Sequence, residues 1–237
     1  MCDIEKLQQM LDQSANIVFF GGAGVSTESN IPDFRSDDGI YNQKFAYPPE
    51  VMLSHSFYEN NTSEFFAFYR TMLYPHAQPN PAHLKLAQWE KEKKVTAIVT
   101  QNIDGLHQKA GSKNVYELHG SVKRNYCEKC HRFYPESAIL ATEGVPHCQC
   151  GGVIKPDVVL YEEGLDTQVI NGAAQAIKAA DMLIVGGTSL VVYPAAGLVN
   201  YYGGNKLVLI NRDSTPYDNK ADLIFHDSIG KIFSQLR

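Results

Sequence analysis

The chain has 237 residues, 44% hydrophobic and 20% charged, enough for one substantial core and a smaller appendage. Its net charge of −5, with no Lys/Arg run longer than two, argues against direct nucleic-acid binding and for small-molecule or protein partners. The longest apolar runs, such as residues 17–20 and 182–185, are far too short to span a bilayer. The first residues show no basic start followed by an apolar run, so a cytoplasmic protein without membrane attachment is expected.

Compact apolar runs at 16–20, 95–100, 182–185 and 206–210, and a shorter one at 223–225, predict strands buried on both faces of a mostly parallel sheet. Helices are expected between them. Asn80-Pro81 reads as an N-cap followed by proline at the first helical position, opening a helix through Trp89 toward Lys93. An Ala-rich helix spans about 167–180, and another follows Pro194, running from Ala195 to Tyr202 and stopping at Gly203-Gly204. Two stretches break the alternation. Residues 36–74, aromatic and polar with Pro48-Pro49, read as a loop followed by a helical insert, and 32–49 as a mobile lid. Residues 121–156 hold four cysteines and no long apolar run. The fold class is therefore α/β: a Rossmann-like doubly wound parallel sheet from 1–35, 75–120 and 157–237, with the helical insert at 36–74 and a smaller zinc-binding module at 121–156.

Gly21, Gly22 and Gly24 end the first predicted strand, where a helix is expected to begin. Glycine lets the backbone approach a pyrophosphate, and a helix N-terminus offers free N–H groups; a tight structural turn would look the same. Gly22 and Gly24 match the dehydrogenase fingerprint, but Thr27 takes its third glycine position and no acidic residue ends a second strand about 20 residues on. A nucleotide site is supported and hydride transfer is not.

Cys127, Cys130, Cys148 and Cys150 offer four thiolates, the number that closes a tetrahedral zinc site and leaves no position open for chemistry. His131 and His147 sit beside them as alternative ligands, and Gly151-Gly152 gives the tight Cys-x-Cys half its freedom. Cys2 reads as a frayed terminal thiol.

Three polar strings fall at expected strand ends, where the ligand crevice of an open α/β sheet lies: Gly24 through Arg35, Thr100 through His107, and Glu117-Leu118-His119-Gly120. Any one of these residues has a plain alternative. Asn102 and Asp104 would cap a helix equally well, and His119 would serve as a turn histidine. With the cysteines, with Lys155-Pro156-Asp157-Val158-Val159, and with Gly187-Thr188-Ser189-Leu190-Val191-Val192-Tyr193-Pro194 and Ile210-Asn211, these strings resemble the sirtuins, NAD-dependent protein deacylases, over nearly the whole chain and in a bacterial-type wording at Tyr161-Glu162-Glu163.

The resemblance implies NAD as co-substrate, one structural zinc ion, and acetylated lysine (or lysine with another uncharged acyl group) in protein partners as substrate. It implies that His119 is the general base, helped by Asn102 at the ribose and a water. It implies that Ile103 and Asp104 grip the nicotinamide amide, and that Phe34 shields the sugar carbon. Arg35 and Gln101 would position the cofactor, with Ala23 and Thr27 at the phosphates. Thr188, Ser189 and Asn211 would lie on the adenosine side, with Ile229 near the adenine. Val158, Val159, Leu160, Tyr161 and Val191 would clamp the substrate peptide as an added strand. The implied reaction starts with attack of the acyl oxygen on the ribose carbon bearing nicotinamide. His119 then activates a ribose hydroxyl, giving free lysine and O-acetyl-ADP-ribose.

Asn30 departs from the glycine usual before Ile-Pro-Asp-Phe-Arg, and it is a residue that tolerates the left-handed backbone. The insert lacks the Tyr-x-x-Arg associated with acidic acyl groups. Phe65, Phe66 and Phe68 are then either lining for an aliphatic acyl group or simply insert core. Protein mono-ADP-ribosyl transfer and a non-catalytic NAD or ADP-ribose sensor are the alternative functions.

Overall fold

The structure is a computed structural model describing residues 2–33 and 47–237. It begins with α1 (Asp3–Asp12), which no sequence expectation covered; its buried Leu7, Met10 and Leu11 follow the i, i+3, i+4 spacing of a helix with one apolar face. Six strands make a wholly parallel sheet: β1 (Ile17–Gly21), β2 (Val95–Thr100), β3 (Val115–Glu117), β7 (Met182–Gly186), β8 (Leu207–Ile210) and β9 (Leu223–Phe225). The expected strands lie within one residue of these bounds. Alternate side chains of β1 feed two cores, Ile17 and Phe19 on one face and Val18 and Phe20 on the other. That double burial is why the strands read as continuous apolar runs.

Helices α5 (Pro81–Lys91) and α9 (Ile229–Phe233) cover the first face beside α1, and α8 (Thr167–Ala179) covers the second. Asn80 caps α5 as expected, accepting from the N–H of Ala82 and His83, while its own Nδ2 donates to the carbonyl of Val25 at 2.7 Å. The element after Pro194 is a 3-10 helix, Ala195–Tyr201. The strand order β3-β2-β1-β7-β8-β9 reverses direction between β1 and β7. A crevice at the carboxyl ends there is the ligand position of such sheets.

Between β1 and β2 come α2 (Pro49–Met52), α3 (His55–Asn60) and α4 (Thr62–Thr71). After β3 come α7 (Glu136–Leu140) and a three-stranded antiparallel sheet of order β5-β4-β6: β4 (Gly120–Cys127), β5 (Phe133–Tyr134) and β6 (Ile154–Val158). Insert and module share one apolar core: Phe57, Phe65, Phe66 and Tyr69 pack with Val122, Ile139, Ile154 and the two buried cysteines. Phe65, Phe66 and Phe68 are at most 3% exposed, so they are core and none of them lines a ligand cavity.

Candidate active site

One cavity of about 480 Å³ opens at the carboxyl ends of β1, β2, β7 and β8 and extends under the small module. The strand ends deliver polar side chains to it. Ala23, Thr27, Gln101, Asn102, Ile103, Asp104, His119, Thr188, Ser189, Asn211 and Ile229 all stand on its wall, as do Val158, Val159, Leu160 and Tyr161. Val191 does not; it is 47% exposed, and its neighbours Val192 and Tyr193 line the cavity instead. Phe34, Arg35 and most of the expected lid lie outside the described residues.

The glycine turn differs from the expectation. No α-helix starts there; two short 3-10 turns follow β1, Ala23–Val25 and Thr27–Ser29, the second ending on Asn30 at φ 60°, ψ 30°, the left-handed conformation expected of it. The N–H groups of Gly22, Gly24, Val25 and Ser26 bond backbone carbonyls, so no helix N-terminus is presented. The glycines have a second cause: a Cβ on Gly22 would sit 2.8 Å from the Thr188 Cβ, and one on Gly24 2.8 Å from the Gly187 Cα. They let the β1 and β7 loops meet.

The loops are joined by side chains. Ser26, buried and not singled out in the sequence, donates its hydroxyl to Asp104 Oδ2 at 2.6 Å and accepts from Asn102 Nδ2 at 3.0 Å. The other Asp104 oxygen accepts from the N–H of Leu106 at 2.8 Å, at the start of α6 (Leu106–Ala110). Asp104 is not the N-cap, which is Gly105, but from the position before it Asp104 anchors the first N–H of α6 while standing on the wall. Gln101 Nε2 donates to Thr188 Oγ1 at 3.0 Å, and the N–H of Thr188 donates to Asn211 Oδ1 at 2.8 Å. Asn211 Nδ2, on the wall of this cavity, is a buried donor with no hydrogen-bond partner among the described residues. Glu28 receives the N–H of Gly230 at 2.8 Å and so holds Ile229 in place. These donors and close-set loops fit a dinucleotide across the β1/β7 switch point.

His119 lies in the two-residue turn between β3 and β4, with its ring Nδ1 2.9 Å from the carbonyl of Gln101. A carbonyl only accepts, so the ring proton sits on Nδ1 and Nε2 keeps its lone pair. Burial lowers the His119 pKa, against a smaller opposing effect of the Gln101 carbonyl, so the ring is neutral at pH 7. A neutral imidazole with a fixed tautomer is equipped to accept a proton.

The four cysteines converge. Their sulfurs lie within 4.8 Å of one another, with Cys127 to Cys150 at 3.4 Å and Cys130 to Cys148 at 3.6 Å. A zinc tetrathiolate with Zn–S of about 2.3 Å has sulfur–sulfur edges of about 3.8 Å, so the cluster is already the right size. His131 and His147 are not in it, and no cysteine lines the cavity. A Cβ on Gly152 would meet the Cys127 sulfur at 2.7 Å, and Gly151 sits at φ 81°, so the glycine pair is needed where the sequence placed it. Zinc here is structural.

Fold and site together define a nucleotide-binding α/β protein with a thiolate-clamped module. The sequence model of the Sir2 family matches residues 22–194, and the chain belongs to that family. It is 61% identical over 234 residues to an NAD-dependent protein deacetylase of Clostridium acetobutylicum, covering 97% of this chain and 96% of that one. It is 53% identical to an NAD-dependent protein deacetylase of Cutibacterium acnes, covering 98% and 97%. A solved Sir2 structure with deacetylated p53 peptide and 3'-O-acetyl ADP-ribose superimposes with a TM-score of 0.91 at 36% identity, covering 99% of this chain and 97% of that one. A Sir2–p53 peptide–NAD+ structure does so with a TM-score of 0.86 at 36% identity and the same coverage.

Proposed function

We infer that this chain is an NAD-dependent protein-lysine deacetylase that consumes NAD and releases nicotinamide, free lysine and O-acetyl-ADP-ribose. The observation that carries the reading is His119: neutral, half-buried, proton fixed on Nδ1, on the same wall as the loop-joining network. NAD supplies the electrophilic ribose carbon and the hydroxyl that receives the acyl group. His119 takes the proton of that hydroxyl. Asn102, held by Ser26, holds the ribose, and the Ile103–Asp104 segment grips the carboxamide. Thr188, Ser189 and Asn211 take the adenosine side, with Ala23 and Thr27 at the phosphates and Ile229 at the adenine. Phe34 and Arg35 keep the roles that the sequence resemblance implies.

Residues 158–161 form the edge along which an acetyl-lysine peptide adds as a strand. The acyl group is uncharged. Arg70 is committed to the carbonyls of Ile139 and Gly144, and Lys123 on the wall is paired with Glu136 at 2.6 Å, so neither offers an open partner to an acidic acyl group. Among the described residues no helix is long and apolar enough to cross a membrane, and we place the enzyme in the cytoplasm.

The test is product mass from NAD and an acetyl-lysine peptide. Acetyl-ADP-ribose in solution is expected; ADP-ribose attached to protein would replace this reading with transfer, and binding without turnover with a sensor. His119→Ala should lower turnover by about 10²–10⁴-fold with zinc content and melting temperature retained, and full activity would remove its assigned role.

A further inference from the structure

His119 lies where the chain leaves the large sheet for the small one, and the crossing is tight. Gly120 turns at φ 74°, and a Cβ there would sit 2.0 Å from the carbonyl oxygen of Asp157. The carbonyl of His119 accepts from the N–H of Val159 at 3.0 Å, so the outgoing strand β4 and the returning strand β6 meet beside the base. One side chain spans this crossing. Arg124, on β4, places Nη1 2.6 Å from Glu117 Oε2 on β3 and Nε 2.7 Å from Asp157 Oδ2 on β6. The Glu117 side chain is only 9% exposed, so its carboxylate is largely out of water and Arg124 is its ion-pair partner. The fork of a guanidinium is what lets one residue hold two carboxylates at fixed directions.

We propose that Arg124 is a positioning residue for the deacylation step: by bridging Glu117 and Asp157 it fixes the turn at Gly120 and hence where His119 Nε2 points. Arg124 is not on the cavity wall, so it acts through His119. The inference rests on the deacetylase reading, and the two halves of that reaction separate it from a general structural role. Departure of nicotinamide needs the 101–104 loop on the large sheet but no base; when labelled nicotinamide re-enters, NAD re-forms carrying the label. Transfer of the acyl group needs His119 to take the hydroxyl proton.

At saturating NAD and acetyl-peptide, Arg124→Gln should lower acetyl-ADP-ribose formation about tenfold or more, while exchange of labelled nicotinamide into NAD stays within about twofold. Arg124→Lys, which keeps a charge without the fork, should shift the ratio the same way by less, and it carries the comparison if Arg124→Gln does not fold. Equal losses in both reactions, or an unchanged ratio in the folded variant, would overturn the proposal. A wild-type chain that performs neither reaction removes the deacetylase reading itself, and this inference with it.

Discussion

The large sheet and the small module solve the same problem with different means. The sheet has a core on each face, built from strands such as β1 and β7 in which every residue is buried. The module has a sheet whose shortest strand is two residues, with Tyr126 and Phe133 exposed on it, and its apolar side is completed by the insert helices. The sheet is held by burial, whereas the module needs a metal and a neighbour. Both lean on the same cavity, so the chemistry inherits the weaker partner's requirements.

Removing the metal should therefore have the largest effect. Cys148→Ser, or a strong chelator, takes away a ligand of a site whose binding energy is folding energy, and total stabilities of domains are only about 5–15 kcal/mol. Activity should be lost with the zinc, in parallel with exposure of the shared core around Phe66 and Ile139. Retention of far-UV signal from the sheet would complete the contrast, and an active zinc-free protein would break it.

Much of this was legible beforehand, for identifiable reasons. Strands buried on both faces leave continuous apolar runs, the cysteine spacing is rare by chance, and Asn30 announced its left-handed turn. What escaped depends on partners distant in sequence. Ser26 meets Asp104 across 78 positions, and Arg124 meets Asp157 across 33. Nothing local distinguishes that serine from its neighbours Thr27 and Ser29. The apolar stripe of α1 is short and its mean hydropathy low, so a continuous-run reading passes over it. The glycine turn is the converse case: the sequence marks its residues, but the loop meeting them at Gly187 comes from another strand.

The next largest effect should come with pH, and it belongs to the sheet. His83 and His107 are buried with ring centroids 4.8 Å apart. Burial lowers the His83 pKa to about 4, against a smaller raising effect from Asp104, and burial with His83 nearby puts His107 well below its ordinary value. Both are neutral in the fold and gain a proton in the unfolded chain below about pH 6.5, so stability is full above that pH and falls as pH drops toward the folded values. The slope should reach about 1.4 kcal/mol per pH unit for each histidine. Melting temperatures from pH 7 to 5 check this, and His107→Phe should flatten the fall; an unchanged slope would remove the pair as its cause.

Gly24→Ala should act on the loop contact alone. Its Cβ would arrive 2.8 Å from the Gly187 Cα, a backbone clash that no rotamer relieves, and overpacking of this kind costs about 1–3 kcal/mol. The KM for NAD should rise about tenfold or more while zinc content is unchanged; a normal KM would mean the β1 and β7 loops do not need their close approach.

The smallest effect should come from Ser26→Ala, and it tests the site at its hub. Without the hydroxyl, half-buried Asp104 Oδ2 and buried Asn102 Nδ2 each lose a partner, a cost of about 1–3 kcal/mol. Asp104 keeps its bond to the Leu106 N–H, so the loop is loosened and not lost. If the 101–104 loop serves nicotinamide departure as well as the later acyl transfer, as proposed above, nicotinamide exchange and deacetylation should fall together, by about tenfold. That distinguishes the hub from the crossing at Arg124, where the two reactions are expected to separate. If Ser26→Ala split them as well, the loop and the base would be one coupled unit, and the assignment of nicotinamide to one sheet and the base to the junction would have to be redrawn.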